Sequence, residues 1–203
     1  MADLEFLALY PGNATITILL PNGQVQRIER VSATAIGDKC PLLWYCFGDG
    51  PANDQQASIE ASSIALVVSF LRYLYTGNYL TAIQESGPFS LLHHAQLYKM
   101  AQDFDVPELQ VAAHVNFMRE TEISCCVPHP PLDLCAAIEF VYKHLAGQKP
   151  LIETLLNYCV FSFKYHGLGT DSGFRQLAFD IPAFHKDLCQ TNLRRDFQDE
   201  GEL

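Results

Sequence analysis

Apolar residues recur at three- and four-residue intervals between Ile64 and Tyr75. Ile64, Val67, Val68, Leu71, Leu74 and Tyr75 share one face, which predicts a helix of about three or four turns with a core on that side. Ser62 or Ser63 can accept a hydrogen bond from an orphan amide of the first turn, and Gly77 can take the left-handed conformation that ends the helix. The other side is apolar too. Steps of about 100° bring Leu66, Phe70 and Tyr73 together and leave only Ala65, Ser69 and Arg72 as a polar strip. A helix that is apolar nearly all round is either buried on two sides or meets a partner. Leu66, Phe70 and Tyr73 are therefore the candidate partner-binding residues.

The same patterning orders the rest of the chain. Residues 14–20, ATITILL, alternate, with Ile16, Ile18 and Leu20 on one face and Thr15 and Thr17 on the other, which predicts a strand. Asn22-Gly23 is a tight-turn signal, so residues 25–31 are expected to return antiparallel. Pro41 suits the first turn of a short helix over residues 40–47, CPLLWYCF, with Leu43, Trp44 and Phe47 facing inward. Residues 48–56 read as a loop, and residues 57–61 as a short strand leading into the helix at 64. Ser86-Gly87-Pro88 breaks the chain, after which residues 91–104 resume a helical period. Asp105-Val106-Pro107-Glu108 opens the next helix, with Leu109, Ala112, Ala113 and Phe117 inward.

Residues 123–131, within the run TEISCCVPHPP, read as a connector. Beyond it the stripes are helical: Leu134, Ile138, Val141 and Leu145, then Leu151, Leu155, Tyr158 and Phe161, and a last helix from Asp180-Ile181-Pro182 towards Arg195. Residues 199–203 read as an acidic tail. The expected class is α+β, a small sheet with helical hairpins followed by an all-helical C-terminal extension. Residues 1–13 form an N-terminal segment, 14–122 the mixed domain and 132–203 the extension.

The order of a hairpin, a Pro-led short helix, a strand into FLRYLYTGNY and then LLHHAQLYKMAQDFDVPELQVAAHVNFM resembles the BTB/POZ domain. The likeness covers residues 14–120. Its most specific pieces are Tyr75-Thr76-Gly77 at a helix end, the run LLHHAQLYKMAQDFDVPEL, and Cys40-Pro41 through Phe47, which is similar to that family's Ser-Pro-x-x-Phe segment with Cys in place of Ser. Residues 140–184 are similar to the helical region that follows the BTB domain in proteins of filamentous fungi. The resemblance implies an interaction module without catalysis, one that self-associates and docks to a cullin-type ubiquitin ligase as an adaptor or recruits transcriptional and chromatin partners. The family's His-x-x-Leu after the second strand is replaced here by Arg30-Val31-Ser32-Ala33. No kelch, MATH or zinc-finger region is recognisable, so target recognition would fall to the helical extension.

Composition narrows the partners. With 23 acidic and 13 basic residues the net charge is -10, which repels a phosphate backbone and disfavours direct nucleic-acid binding. An apolar fraction of 49% with 18% charged residues is that of a globular chain. The N-terminal run MADLEFLALYPGNA lacks the positive start of a secretory signal, and no window approaches a membrane span of about 20 apolar residues. The chain is expected to be soluble and cytoplasmic or nuclear. Seven cysteines without regular spacing fit reduced thiols better than a disulfide framework.

Candidate chemistry is sparse. Cys125, Cys126, His129 and Cys135 place four zinc-type ligands close in sequence. Structural zinc sites, however, join two spaced pairs, whereas these cysteines are vicinal and His129 is held between Pro128 and Pro130, so no metal is expected, and a small zinc- or thiol-dependent enzyme using these four residues is the rival reading from another class. His93 and His94 fall on the apolar side of their helix and read as structural. No cysteine sits in a glycine-rich elbow that would make it a nucleophile. Residues 167–173, GLGTDSG, have the glycines of a phosphate loop but lack its lysine and follow a helix instead of a strand. No cofactor is expected, and the partners are proteins, a second copy of the chain among them.

Overall fold

The Asn-Gly turn behaves as its residues require. In the computed structural model, which describes residues 4–49, 55–85 and 90–199, strand β1 (Ala14–Leu19) and strand β2 (Val25–Val31) form an antiparallel hairpin. Gly23 sits at a φ of 77°, its N–H donates to the Leu20 carbonyl at 3.0 Å, and Asn22 Oδ1 accepts from the Gln24 N–H at 3.0 Å. The register moves from Ala14↔Val31 to Ile16↔Ile28, so β2 carries one extra residue there, and Arg30 absorbs it at a φ of 62°. Residues 50–54 of the expected loop, the Ser86-Gly87-Pro88 break and the tail past Asp199 lie outside the described residues.

The sheet has the order β2-β1-β4-β3, in which β3 is only Gly48–Asp49 and β4 (Gln55–Glu60) runs parallel to β1. A parallel pair needs a crossover. Two short helices lie on it, α1 (Ala33–Gly37) and α2 (Pro41–Tyr45). The apolar pattern does not foresee α1, because five residues give no full period. Ser32 makes it: its Oγ accepts from the Ala35 N–H at 3.2 Å, while its own N–H donates to the Tyr75 hydroxyl at 2.6 Å.

Helix α3 (Ile64–Thr76) follows with both ends as expected. Ser63 Oγ accepts from the Leu66 N–H at 3.2 Å, and Gly77 at a φ of 79° donates to the Tyr73 carbonyl at 2.8 Å. Gly77→Ala forces a Cβ into that left-handed position and is expected to cost about 1 kcal/mol, read as a lower urea midpoint at unchanged slope. Ile16, Ile18, Ile36, Leu43, Leu71 and Leu74 are fully buried and form the interior beside the sheet.

A short helix α4 (Ala82–Glu85) precedes α5 (Leu91–Asp103) and α6 (Pro107–Cys125). By packing, Met1–Gly87 and Met100–Val111 make one compact unit, while Pro88–Lys99 and Ala112–Leu203 make a second. The turn between α5 and α6 thus belongs to the sheet unit. Helix α6 runs on to Cys125, so the first residues expected in the connector are helical. Just before them Glu120 and Thr121 are buried, and the Thr121 hydroxyl donates to the Met118 carbonyl at 2.7 Å.

In the helical unit α7 (Leu134–His144), α8 (Lys149–Ser162), α9 (Ser172–Asp180) and α10 (Pro182–Asp199) follow in turn. Leu134, Ile138, Val141 and Leu145 are buried as their spacing predicts. On α8 the buried row is Leu151, Leu155, Tyr158 and Ser162, and the expected Phe161 is instead 65% exposed. A four-residue step from Tyr158 lands on Ser162, whose hydroxyl donates back to the Tyr158 carbonyl at 2.7 Å. Asp133 holds the start of α5, accepting from Ser90 Oγ at 2.6 Å and the Leu92 N–H at 2.7 Å. Edge-to-face rings then run Phe163, Phe174, Phe184, Tyr142, and the Tyr142 hydroxyl ends on Asp187 at 3.1 Å. No helix among the described residues is long and apolar enough to cross a membrane.

Candidate interaction surfaces

The second apolar face of α3 is not a surface. Leu66, Phe70 and Tyr73 are only 4%, 0% and 9% exposed, so the chain itself covers the residues expected to meet a partner. The Phe70 ring packs on Phe104 at 5.3 Å between centroids, and Lys39 Nζ lies 5.9 Å from the centre of the Tyr73 ring. Burial, with Glu108 adding to it, raises the Tyr73 hydroxyl above its ordinary pKa. The expectation is corrected: the double face of α3 closes its own fold.

The four candidate metal ligands do not converge. Cys126 and His129 are exposed, Cys125 and Cys135 are half-buried, and among the described residues no three His, Cys, Asp or Glu side chains could hold one ion. A thiol nucleophile needs a lowered pKa. Burial raises Cys40, Cys125, Cys135 and Cys159 alike, with Cys126 adding at Cys125 and Asp171 at Cys135. In the 167–173 segment Asp171 Oδ1 accepts from the Phe174 N–H at 2.7 Å, placing a carboxylate where a phosphate would have to sit.

His93 and His94 lie inside, at 9% and 0% exposure. Burial lowers His93 to about 4. His94 falls to about 3, through burial first and then the repulsion of His93 and Arg119.

Exposed apolar side chains occur on several elements, Phe161 and Phe179 among them, and three fall together on α2. Leu42, Trp44 and Tyr45 are 47%, 43% and 75% exposed, while Leu43 alone of that helix is buried. Trp44, expected to face inward, therefore faces out. A five-residue helix offers about one inward row, so Leu-Leu-Trp-Tyr carries more hydrocarbon than it can bury, and that surplus was the signal available in the sequence. Trp44 meets Tyr45 edge to face at 5.1 Å and lies on Gly37, where a Cβ would approach its ring to 3.0 Å. Tyr10, also 55% exposed, borders a hollow of ≈ 270 Å³ beside α1 with Thr34, Asp38 and Lys39.

Among the hollows of the helical unit, two are lined in part by aromatic rings. One of ≈ 410 Å³ between α6, α8 and α10 mixes Met118 and Phe161 with Glu122, Cys125 and Arg195. The other, of ≈ 660 Å³, lies between α8, α9 and α10 on Phe163, Phe174, Leu188 and Leu193. No family model matches the chain, and no curated protein matches it.

Proposed function

We propose that the chain is a non-enzymatic protein-interaction module of the BTB/POZ kind, which self-associates through α2 and acts as a scaffold or adaptor. The exposed Leu42-Trp44-Tyr45 patch carries this reading. Tryptophan and tyrosine are the side chains that most often anchor protein interfaces, since each buries about 150–250 Å². The order of hairpin, Pro-led helix, strand, capped α3 and helical pair, on which the likeness to that family rests, supports it. So do Cys125 and Cys159, whose thiols burial holds away from the nucleophilic form.

Light scattering on a sizing column tests the reading. The native chain is expected to associate, and Tyr45→Glu, which puts a charge at the centre of the patch, to raise the dissociation constant about thirtyfold or more without loss of helical signal. Equal association by both proteins would overturn the assignment to α2. Affinity capture with the full chain then separates two classes of partner: a cullin in the eluate marks an adaptor of a ubiquitin ligase, and repressor complexes mark a transcriptional or chromatin co-regulator.

A further inference from the structure

The hollow between α8, α9 and α10 has a chemistry unlike the rest of this acidic chain. Its walls are Phe163, Phe174, Leu188 and Leu193, with Gly169 at one end pressed so close to Phe163 that a Cβ there would come within 2.9 Å of the ring. Phe174 is buried and joins the floor to the aromatic row behind it, while Phe163 and Leu193 keep 38% and 56% of their surface open. Lys164, Arg175 and His185 also line it, and no Asp or Glu does. Among the described residues no carboxylate lies within ion-pair distance of Lys164 or Arg175.

We propose that this hollow binds a long-chain carboxylate, an ionised free fatty acid, with its hydrocarbon against the aromatic floor and its head between Lys164 and Arg175. At ≈ 660 Å³ the hollow is within the range of small-ligand sites, and apolar walls with two cationic side chains fit an amphiphile with an anionic head. Charge decides the head group. The chain's net charge of -10 opposes any anion at long range. Screening confines that repulsion to about 8 Å at physiological salt, and the lining itself carries a guanidinium suited to bidentate carboxylate binding and an ammonium, which outnumber the nearby Asp171 carboxylate bonded to the Phe174 N–H. The site shares no residue with the α2 patch, and neither assignment depends on the other.

Displacement of the fluorescent probe 1-anilinonaphthalene-8-sulfonate from the full chain by oleate, below the concentration at which oleate aggregates, tests the proposal. One saturable site per chain is expected. Lys164→Ala with Arg175→Ala, both at exposed positions, should weaken oleate at least tenfold, and oleyl alcohol, which keeps the tail without the charge, should bind native protein no better than oleate binds the double variant. Ala178→Trp, which fills the hollow, should abolish displacement while leaving circular dichroism unchanged. Absent or unsaturable binding, oleate binding indifferent to both variants, or capture of an acidic amphipathic peptide in place of oleate would each overturn it.

Discussion

Replacing Phe70 by alanine is expected to lower the unfolding free energy by about 3–5 kcal/mol. The side chain is fully buried and its ring meets Phe104, so truncation removes its transfer free energy and leaves a cavity that its neighbours fill only in part. Stabilities of ordinary domains are about 5–15 kcal/mol, so the loss is a large share of the whole. Urea unfolding followed by circular dichroism reads it. Phe70→Glu, which buries an unpaired charge, should fail to fold. A folded Phe70→Glu protein altered only in its oligomeric state would restore the partner-facing reading of α3.

Acidification is the second large effect. In an unfolded chain the imidazoles of His93 and His94 take up protons below about pH 6.5, whereas in the fold they resist until about 4 and about 3. The unfolded state binds more protons across that interval, so stability is full above pH 6.5 and is lost as pH falls. The slope is up to about 1.4 kcal/mol per pH unit for each ring, or about 5 kcal/mol for the pair between pH 6.5 and 4.5. Urea midpoints measured across that range should fall steeply, and His94→Gln, which removes one titrating ring, should roughly halve the slope. A profile that is flat down to pH 4.5 would mean that neither ring is buried in its neutral form.

The elements that could be read from the chain are those with both a period and an end signal. Helix α3 has a thirteen-residue pattern between Ser63 and Gly77, and the hairpin has alternation on either side of Asn22-Gly23. The short helices α1 and α9 give too few residues for a period and owe their starts to single side chains, Ser32 and Asp171. Orientation was harder. Apolar residues on two sides of α3 state that both sides must be covered, but the pattern holds nothing to distinguish Phe104 of the same chain from a partner. On α2 the difference runs the other way: spacing puts Leu43, Trp44 and Phe47 on one inward face, and the length of the helix leaves room for Leu43 alone. The groove was illegible for a third reason: its walls come from residues 160–193 on three helices, and no single stripe contains them.

Trp44 is the sole tryptophan and sits in the patch on which the functional proposal rests, so its emission reports directly on whether that patch meets another copy. Emission is measured as the protein is concentrated, for the native chain and for Tyr45→Glu. A blue shift on concentration is expected in the native chain, as the indole leaves water, and none in the variant. A native spectrum that stays at its solvent-exposed maximum while the protein associates, or a shift that persists in Tyr45→Glu, would contradict self-association through α2.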